Sequence, residues 1–375
     1  MSEVFLGEVA KERKETSKEN KGRYPIVGLE HLISEEITLT DWEENKENSF
    51  TKIFRKGDVL FGRRRAYLKK AVVAPFDGIC SGDITVIQAL PDKILPELLP
   101  FIIQNDALFD FAIGKSAGSL SPRVKWANLK NFRLELPDLK EQSKLASLLW
   151  SIDSTKKTYQ KLIQKTDELV KSQFIEMFDQ GNWQTIKFSD AYTLQMGKTP
   201  SRAQMKYWSA NDYRWISIAD LSSYGKYTGD TKEYISQTAV DETGIKVTPK
   251  GTVIMSFKLT IGIAAITSED IYTNEAIMAF IPRQSDISTD FLRYYLSVKD
   301  WSDEGKQAVK GTTLNKNSIG NATIIVPPAE LQEQFVIFAN QSDKSKFVSD
   351  TEVRDFRLLS NLIRNYNNMN VKDGN

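Results

Sequence analysis

The chain has 375 residues and carries 50 Lys and Arg against 49 Asp and Glu, a net charge of +1. That balance excludes a bulk polyelectrolyte, so any nucleic-acid contact must come from local clusters of charge. Cys80 is the only cysteine, which excludes an intrachain disulfide and fits a reducing compartment.

The length predicts two or three domains, each with its own core. The opening MSEVFLGEVAKERKE has no apolar signal core and no later run reaches membrane-spanning length, so a cytoplasmic protein without a membrane partner is expected. Residues 1–138 read as a mixed α/β domain. LGEVAKERKETSKENKG reads as a short helix and loop, and YPIVGLEHL as a strand and turn. KGDVLFGRR is a turn feeding a strand, with KKAVVAP and SGDITVIQA as further strands. LPELLPFIIQNDALFDFAI reads as helix with a break expected near Pro100, and the loop GKSAGSLSPR precedes the strand FRLELP.

From Pro137 to Gly181 neither Pro nor Gly interrupts the chain. Asp138 is placed to cap a helix start, with Glu141 three residues on as its capping-box partner. Leu145, Leu149, Ile152, Tyr159, Ile163, Val170 and Met177 follow a three-four spacing, the stripe of a long amphipathic helix over 139–180. Lys156, Thr166 and Gln173 interrupt the seam. So long a helix wants a partner, and residues 329–369 supply one, with Phe335, Phe338, Phe356, Leu359, Ile363 and Tyr366 in the same spacing. Its middle (Ser342, Ser345, Ser349) is polar, which predicts best packing at the ends. Residues 370–375 form a tail.

Residues 181–328 repeat the order of the first domain. YRWISIADL stands where YPIVGLEHL stood, and KGTVIMSFK where KGDVLFGRR stood. NEAIMAFIP answers SGDITVIQA, DFLRYYLSVKDW answers the earlier helix, VKGTTLNKNS answers GKSAGSLSPR and NATIIVPP answers NFRLELP. Both long helices open with Pro and then Glu-Gln, which aligns Gln142 with Gln334. A repeat of half the chain is a duplication, not a solenoid. The polar stretches EEITLTDWEENKEN and SSYGKYTGDTKEY do not match; similar scaffolds with different loops suit the reading of two different ligands.

Catalytic constellations are missing from the sequence. Gly114–Ser116 and Gly197–Thr199 are GK[ST] triplets, but Phe109 and Tyr192 stand where a phosphate loop needs another Gly. His31, the only histidine, is expected as a polar surface or turn residue, and one His with one Cys makes neither a zinc site nor a nucleophile pair. Asp92, Asp138 and Glu141 lie near lysines without nuclease spacing. Val326-Pro327-Pro328-Ala329 lacks the aromatic of an adenine-methyltransferase tetrad and is better explained as a helix start. No metal site or bound cofactor is expected. The positive signal is eight basic residues against one acid between Lys52 and Lys70. Such a run is able to neutralise phosphates or bond guanine; a charged strand edge is the plain alternative. Lys198, Arg202, Lys206, Lys258, Lys310 and Lys316 form a weaker second set in or beside predicted loops.

Two variable domains alternating with two Pro…Glu-Gln helices resemble the specificity (S) subunit of type I restriction-modification enzymes. KGDVLFGRRRAYLKKAVVAPFDGICSGDITVI resembles a framework segment of its first target-recognition domain. NWQTIKFSDAYTLQMGKTP followed by YRWISIADL resembles the opening of the other domain type, and LELPDLKEQ and IIVPPAELQEQF the starts of its two helices. The resemblance covers nearly the whole chain and implies an α+β architecture: two similar mixed α/β target-recognition domains, with the long helices packed as an antiparallel coiled coil under a pseudo-twofold. It implies that each domain reads half of a bipartite, asymmetric double-stranded DNA target. It also implies docking of two modification (M) subunits and of restriction (R) subunits. S-adenosylmethionine, ATP and Mg would then sit on those partners, and this chain would be no catalyst. A helix over 141–178 would span roughly 57 Å at 1.5 Å per residue, enough to act as a ruler.

On this reading the expected DNA contacts are Arg63, Arg64, Arg65, Tyr67, Ser116 and Arg123 in the first half and Lys198, Arg202, Lys258 and Lys310 in the second. The rivals are a coiled-coil scaffold linking two protein-binding domains and a single-chain DNA-acting enzyme.

Overall fold

The structure is a computed structural model, which describes residues 2–17, 24–179, 181–258, 260–283, 286–302, 306–308 and 311–366. The chain divides into two compact units, residues 1–160 with 351–375, and residues 161–350. Two helices dominate it, Leu139–Phe178 and Ala329–Tyr366. Each unit holds one globular domain and half of each long helix.

In the first unit a four-stranded antiparallel sheet runs Ala10–Glu12, Ile84–Ala89, Val59–Gly62, Ala71–Val73. In the second the same order is Tyr192–Met196, Ile277–Pro282, Val253–Ser256, Ala264–Ile266. Each domain also closes its ends on one another: Ser2–Phe5 pairs antiparallel with Arg133–Leu136, and Gln184–Lys187 with Thr323–Val326. These central strands are buried apolar runs, as expected for sheets covered on both faces. The turn before Val59–Gly62 needs a left-handed residue, and Gly57 (φ 90°) and Gly251 (φ 77°) supply it in the two units. Asp77 and Asp270 accept the N–H of Lys56 and Lys250, each at 2.8 Å. The four-stranded sheets and the paired domain ends therefore match, down to this hydrogen bond.

They differ in the second, three-stranded sheet. Its parallel pair is common to both: Ile26–Val27 with Gly78–Cys80, and Tyr213–Ile216 with Tyr272–Thr273. The third strand is not. Lys52–Phe54 joins the Gly78–Cys80 edge, whereas Glu233–Ile235 joins the Tyr213–Ile216 edge. A helix with no first-unit counterpart, Gln237–Thr243, follows the latter. The unmatched polar stretches thus build different edges on one frame.

Within each unit the two helices run antiparallel. In the first, Tyr159 stacks on Phe356 at 6.0 Å, and Ile363 packs in the cluster around Leu149. In the second, Asp167 pairs with Lys346 at 2.9 Å, while Phe174 and Phe178 lie edge-on to Phe335. Leu149, Ile152, Val170 and Phe335 are buried, and Leu145, Tyr159, Ile163, Phe338, Phe356 and Ile363 are half-buried. Leu359 keeps the spacing but is not in the seam: it is 43% exposed. The side chain of Tyr366 lies outside the described residues. In the polar middle Ser342 and Ser349 are buried, their hydroxyls satisfied on the carbonyls of Phe338 and Ser345 one turn back, while Ser345 is exposed. Lys156 is buried on the first helix against Asp153 (3.4 Å) and Glu36 (3.7 Å).

Three further expectations are corrected. Pro100 sits in the first turn of Leu99–Ile103, and the break comes at Gln104–Asn105, where Asn105 caps Asp106–Gly114. His31 is a turn residue, as one half of its expectation has it, but buried rather than on the surface, its Nδ1 accepting the N–H of Gly28 at 2.9 Å. Asp220 does the same for Ser217 at 3.0 Å in the second unit, so both are turn caps. The counterpart of Gln142 is Gln332, not Gln334. Gln142 Nε2 donates to the Pro137 and Lys93 carbonyls and its Oε1 accepts from Leu95 N–H. Gln332 repeats this with Pro327, Asp286 and Ser288.

Candidate nucleic-acid interface

In the first unit, strand Val59–Gly62 runs out into Arg63, Arg64 and Arg65. Arg65 adopts φ 55° and starts the 3-10 turn Ala66–Leu68. The loop before FRLELP returns alongside: Val124 N–H donates to Arg63 O at 3.0 Å and Arg65 N–H to Pro122 O at 2.8 Å. Ala117 and Arg123 exchange both backbone bonds, closing a hairpin. Two segments chosen separately from the sequence are thereby brought together.

Asp83, on the turn before Ile84–Ala89, organises the cations. Arg123 donates Nε to its Oδ1 at 2.7 Å, and Arg64 Nη1 reaches its Oδ2 at 3.3 Å. Arg64 Nη2 also donates to Ser121 Oγ at 3.1 Å. The Arg123 hydrogen bond outweighs partial burial and holds the Asp83 carboxyl below the usual range. Two guanidiniums on one carboxylate leave excess positive charge in a fixed geometry, which suits phosphate oxygens. The Arg63 Nε is buried with no hydrogen-bond partner. Arg65 is exposed, and Tyr67 is 53% exposed beside it. Ser116 instead donates back to Ala112 O at 2.8 Å, tying off a helix end.

Four more residues of the basic run are structural. Arg55 pairs with Glu15 and Asp77, Lys69 with Asp106, and Lys52 and Lys70 bond the carbonyls of Ile84 and Leu29.

In the second unit, Lys198 follows strand Tyr192–Met196 and its ammonium donates to the Thr243 carbonyl. Arg202 pairs with Glu233 and lies 3.8 Å over the Trp208 ring, so much of its charge is already matched. Lys258 follows Val253–Ser256. The bond from Arg63 N–H to Asp83 O recurs as Phe257 N–H to Ala276 O. Lys258 therefore stands where Arg64 stands, and Ala276 where Asp83 stands. Lys310 lies outside the described residues. Lys198 and Lys258 are on the same sheet end, whereas Arg202 sits in its own aromatic cradle.

The family model for the type I restriction modification DNA specificity domain matches twice, over residues 1–166 and 180–349. The chain belongs to this family. Curated specificity subunits are similar: that of the type I restriction enzyme MjaIX from Methanocaldococcus jannaschii is 28% identical over 166 residues, 43% of this chain and 38% of that protein. The HindI specificity subunit of Haemophilus influenzae is 27% identical over 51% of this chain and 39% of that protein. These two matches span about two fifths of those relatives. The MjaVIII specificity subunit, also from M. jannaschii, matches at 21% over 78% of this chain and 72% of that protein.

Among solved structures, a chain described in terms of complex assembly and conformational transition of the type I R-M system superposes with a TM-score of 0.56. It has 21% identity and covers 97% of this chain and 96% of that one. The S subunit from M. genitalium gives 0.55 at 13% identity over 97% and 94%. Both likenesses are of fold.

Sequence reasoning missed three features of the two specificity domains. Asp83 and Ser121 were passed over because an acid and a serine in turns carry no spacing signal. Trp208 stands beside the basic set in the sequence, but its gathering with Trp215 around Arg202, at 3.8 and 5.1 Å, carries no spacing signal. The third is a cavity of about 330 Å³ in the second domain, lined by Tyr192, Leu194, Arg283 and Lys316 among others. Lys316 opens the short helix before the domain's last strand; Trp126 opens the equivalent helix of the first domain and packs on its core there. Among the described residues no group of three or more His, Cys, Asp or Glu is placed to hold a metal ion, and no helix is long and apolar enough to cross a membrane.

Proposed function

We propose that the chain is the DNA-reading, non-catalytic subunit of a type I restriction-modification complex, each specificity domain contacting one half of a bipartite, asymmetric target. One observation carries this reading: two matched specificity domains share a four-stranded frame and several of its single hydrogen bonds, yet present different side chains at equivalent loop positions. Arg63, Arg64 and Asp83 in one answer to Phe257, Lys258 and Ala276 in the other. A shared frame with exchanged reading groups is what a two-part asymmetric target requires. On the first domain Arg64, Arg65, Tyr67 and Arg123 meet DNA, with Arg63 beneath them; on the second, Lys198 and Lys258 do.

In this reading two M subunits carry S-adenosylmethionine and methylate adenine, while R subunits bring ATP- and Mg-dependent cleavage. The chain works in the cytoplasm, where the DNA is. The test is to exchange residues 1–137 for the matching segment of another specificity subunit, in cells that supply the M subunits, and to map methylated adenines. One half of the methylated sequence should change and the other persist. A wholly new target, or an unchanged one, would refute the two-reader assignment.

A further inference from the structure

We infer that Leu120 is the base-contacting tip of the first specificity domain, an apolar side chain carried into a DNA groove while the surrounding arginines hold the phosphates. The inference rests on the DNA-reading function proposed above and assigns a residue that the charge pattern does not point to.

Leu120 is 91% exposed, against 77% for Met205, the next most exposed large hydrophobic side chain among the described residues. A lone exposed leucine on a floppy loop would be ordinary. This one is held out by an ordered hairpin. Ala117 N–H donates to Arg123 O at 3.0 Å and Arg123 N–H to Ala117 O at 2.9 Å, and Gly118 turns the chain at φ 113°. The returning limb is then pinned to the Arg63–Arg65 segment by the Pro122–Arg65 and Arg63–Val124 bonds.

The flanks are cationic and oriented. Arg64 and Arg123 are locked on Asp83, Arg64 also bonds Ser121 next to the tip, and Arg65 is exposed. The only carboxylate hydrogen-bonded within this group is shared by two guanidiniums. An apolar tip between paired cations matches a duplex groove, with phosphates along both rims and apolar thymine methyls or base steps between. The cations supply affinity for any sequence; the tip makes contact only where the groove beneath it fits.

The test uses the full chain assembled with its M subunits. Two labelled duplexes are compared over a salt series, one carrying the sequence mapped by methylation and one unrelated. Leu120→Ala should weaken binding to the target duplex by about tenfold, the magnitude of one leucine side chain removed from contact. It should leave the slope of log affinity against log salt unchanged and bind unrelated DNA as wild type does. Arg65→Ala should weaken both duplexes and lower the slope by about one. Because Leu120 is exposed, the melting temperature of Leu120→Ala should equal that of wild type, which separates contact from folding. Equal target affinity for Leu120→Ala and wild type, or a loss shared by both duplexes, would overturn the role of Leu120 while leaving the DNA-reading function standing. Wild-type assemblies that do not distinguish the two duplexes would remove that function and this inference with it.

Discussion

Gln142 and Gln332 each spend one side-chain amide on three backbone groups, and each is only 2% exposed. Truncation to Ala would orphan a buried N–H and two carbonyls, a cost of about 1–3 kcal/mol per unsatisfied group. Gln142→Ala and Gln332→Ala should therefore each destabilise their own unit by at least about 2 kcal/mol, whereas Gln334→Ala, on an exposed position, should cost under about 0.5 kcal/mol. Urea denaturation of the three variants checks this, and equal effects at 332 and 334 would reinstate the alignment by Glu-Gln.

Asp83 makes a second residue-level prediction. Its folded pKa is lowered, with the Arg123 hydrogen bond as the main cause. Its contribution is thus complete above the unfolded value of about 3.9 and is lost as pH falls through the folded value. Asp83→Asn should remove that acid-limb dependence, measured as the wild-type-minus-variant difference in melting temperature from neutral pH to below 4. A difference that stays constant over this range would argue against the ion pairs.

At the scale of elements, the strands and helices follow from local pattern, and the exceptions have local causes. The apolar runs VLFG and VIMS became the central strands of equivalent sheets. The stripe at 145–170 put Leu149, Ile152 and Val170 in the buried face. Leu359 continued the spacing and still faces solvent, because periodicity counts turns but does not see what lies opposite each one. The basic run was legible as charge. Its division into Arg63–Arg65 at the loop and Lys52, Arg55, Lys69 and Lys70 in structural bonds was not, since Glu15, Asp77 and Asp106 reach it from elsewhere in the chain. The third strand's choice of edge was equally hidden: both edges of a parallel pair offer free N–H and C=O groups, and the decision rests on the connecting loops.

At the scale of the whole molecule, duplication was legible because framework segments recur in order, and the matching hydrogen bonds of Lys56 and Lys250 give it a physical basis. What duplication could not foretell is which half of each helix completes which unit. The first unit takes its closing helical segment from residues 351–366. Deleting that segment strips Phe356 from Tyr159 and Ile363 from the Leu149 cluster. At about 1.5–3 kcal/mol per buried side chain, the first unit should lose several kcal/mol while the second keeps its stability. Thermal unfolding with probes at Trp150 and Trp301, one in each unit, resolves the two, and a uniform loss would contradict the division.

The crossing over of helix halves also has a bearing on synthesis. A ribosome releases the first globular domain long before it makes the strip of helix on which that domain's helical face closes. Until then Leu149 and Ile152 lack their cover from the chain's far end. The domain made first is therefore finished last, and the nascent protein passes through a stage in which only its second half has all its parts.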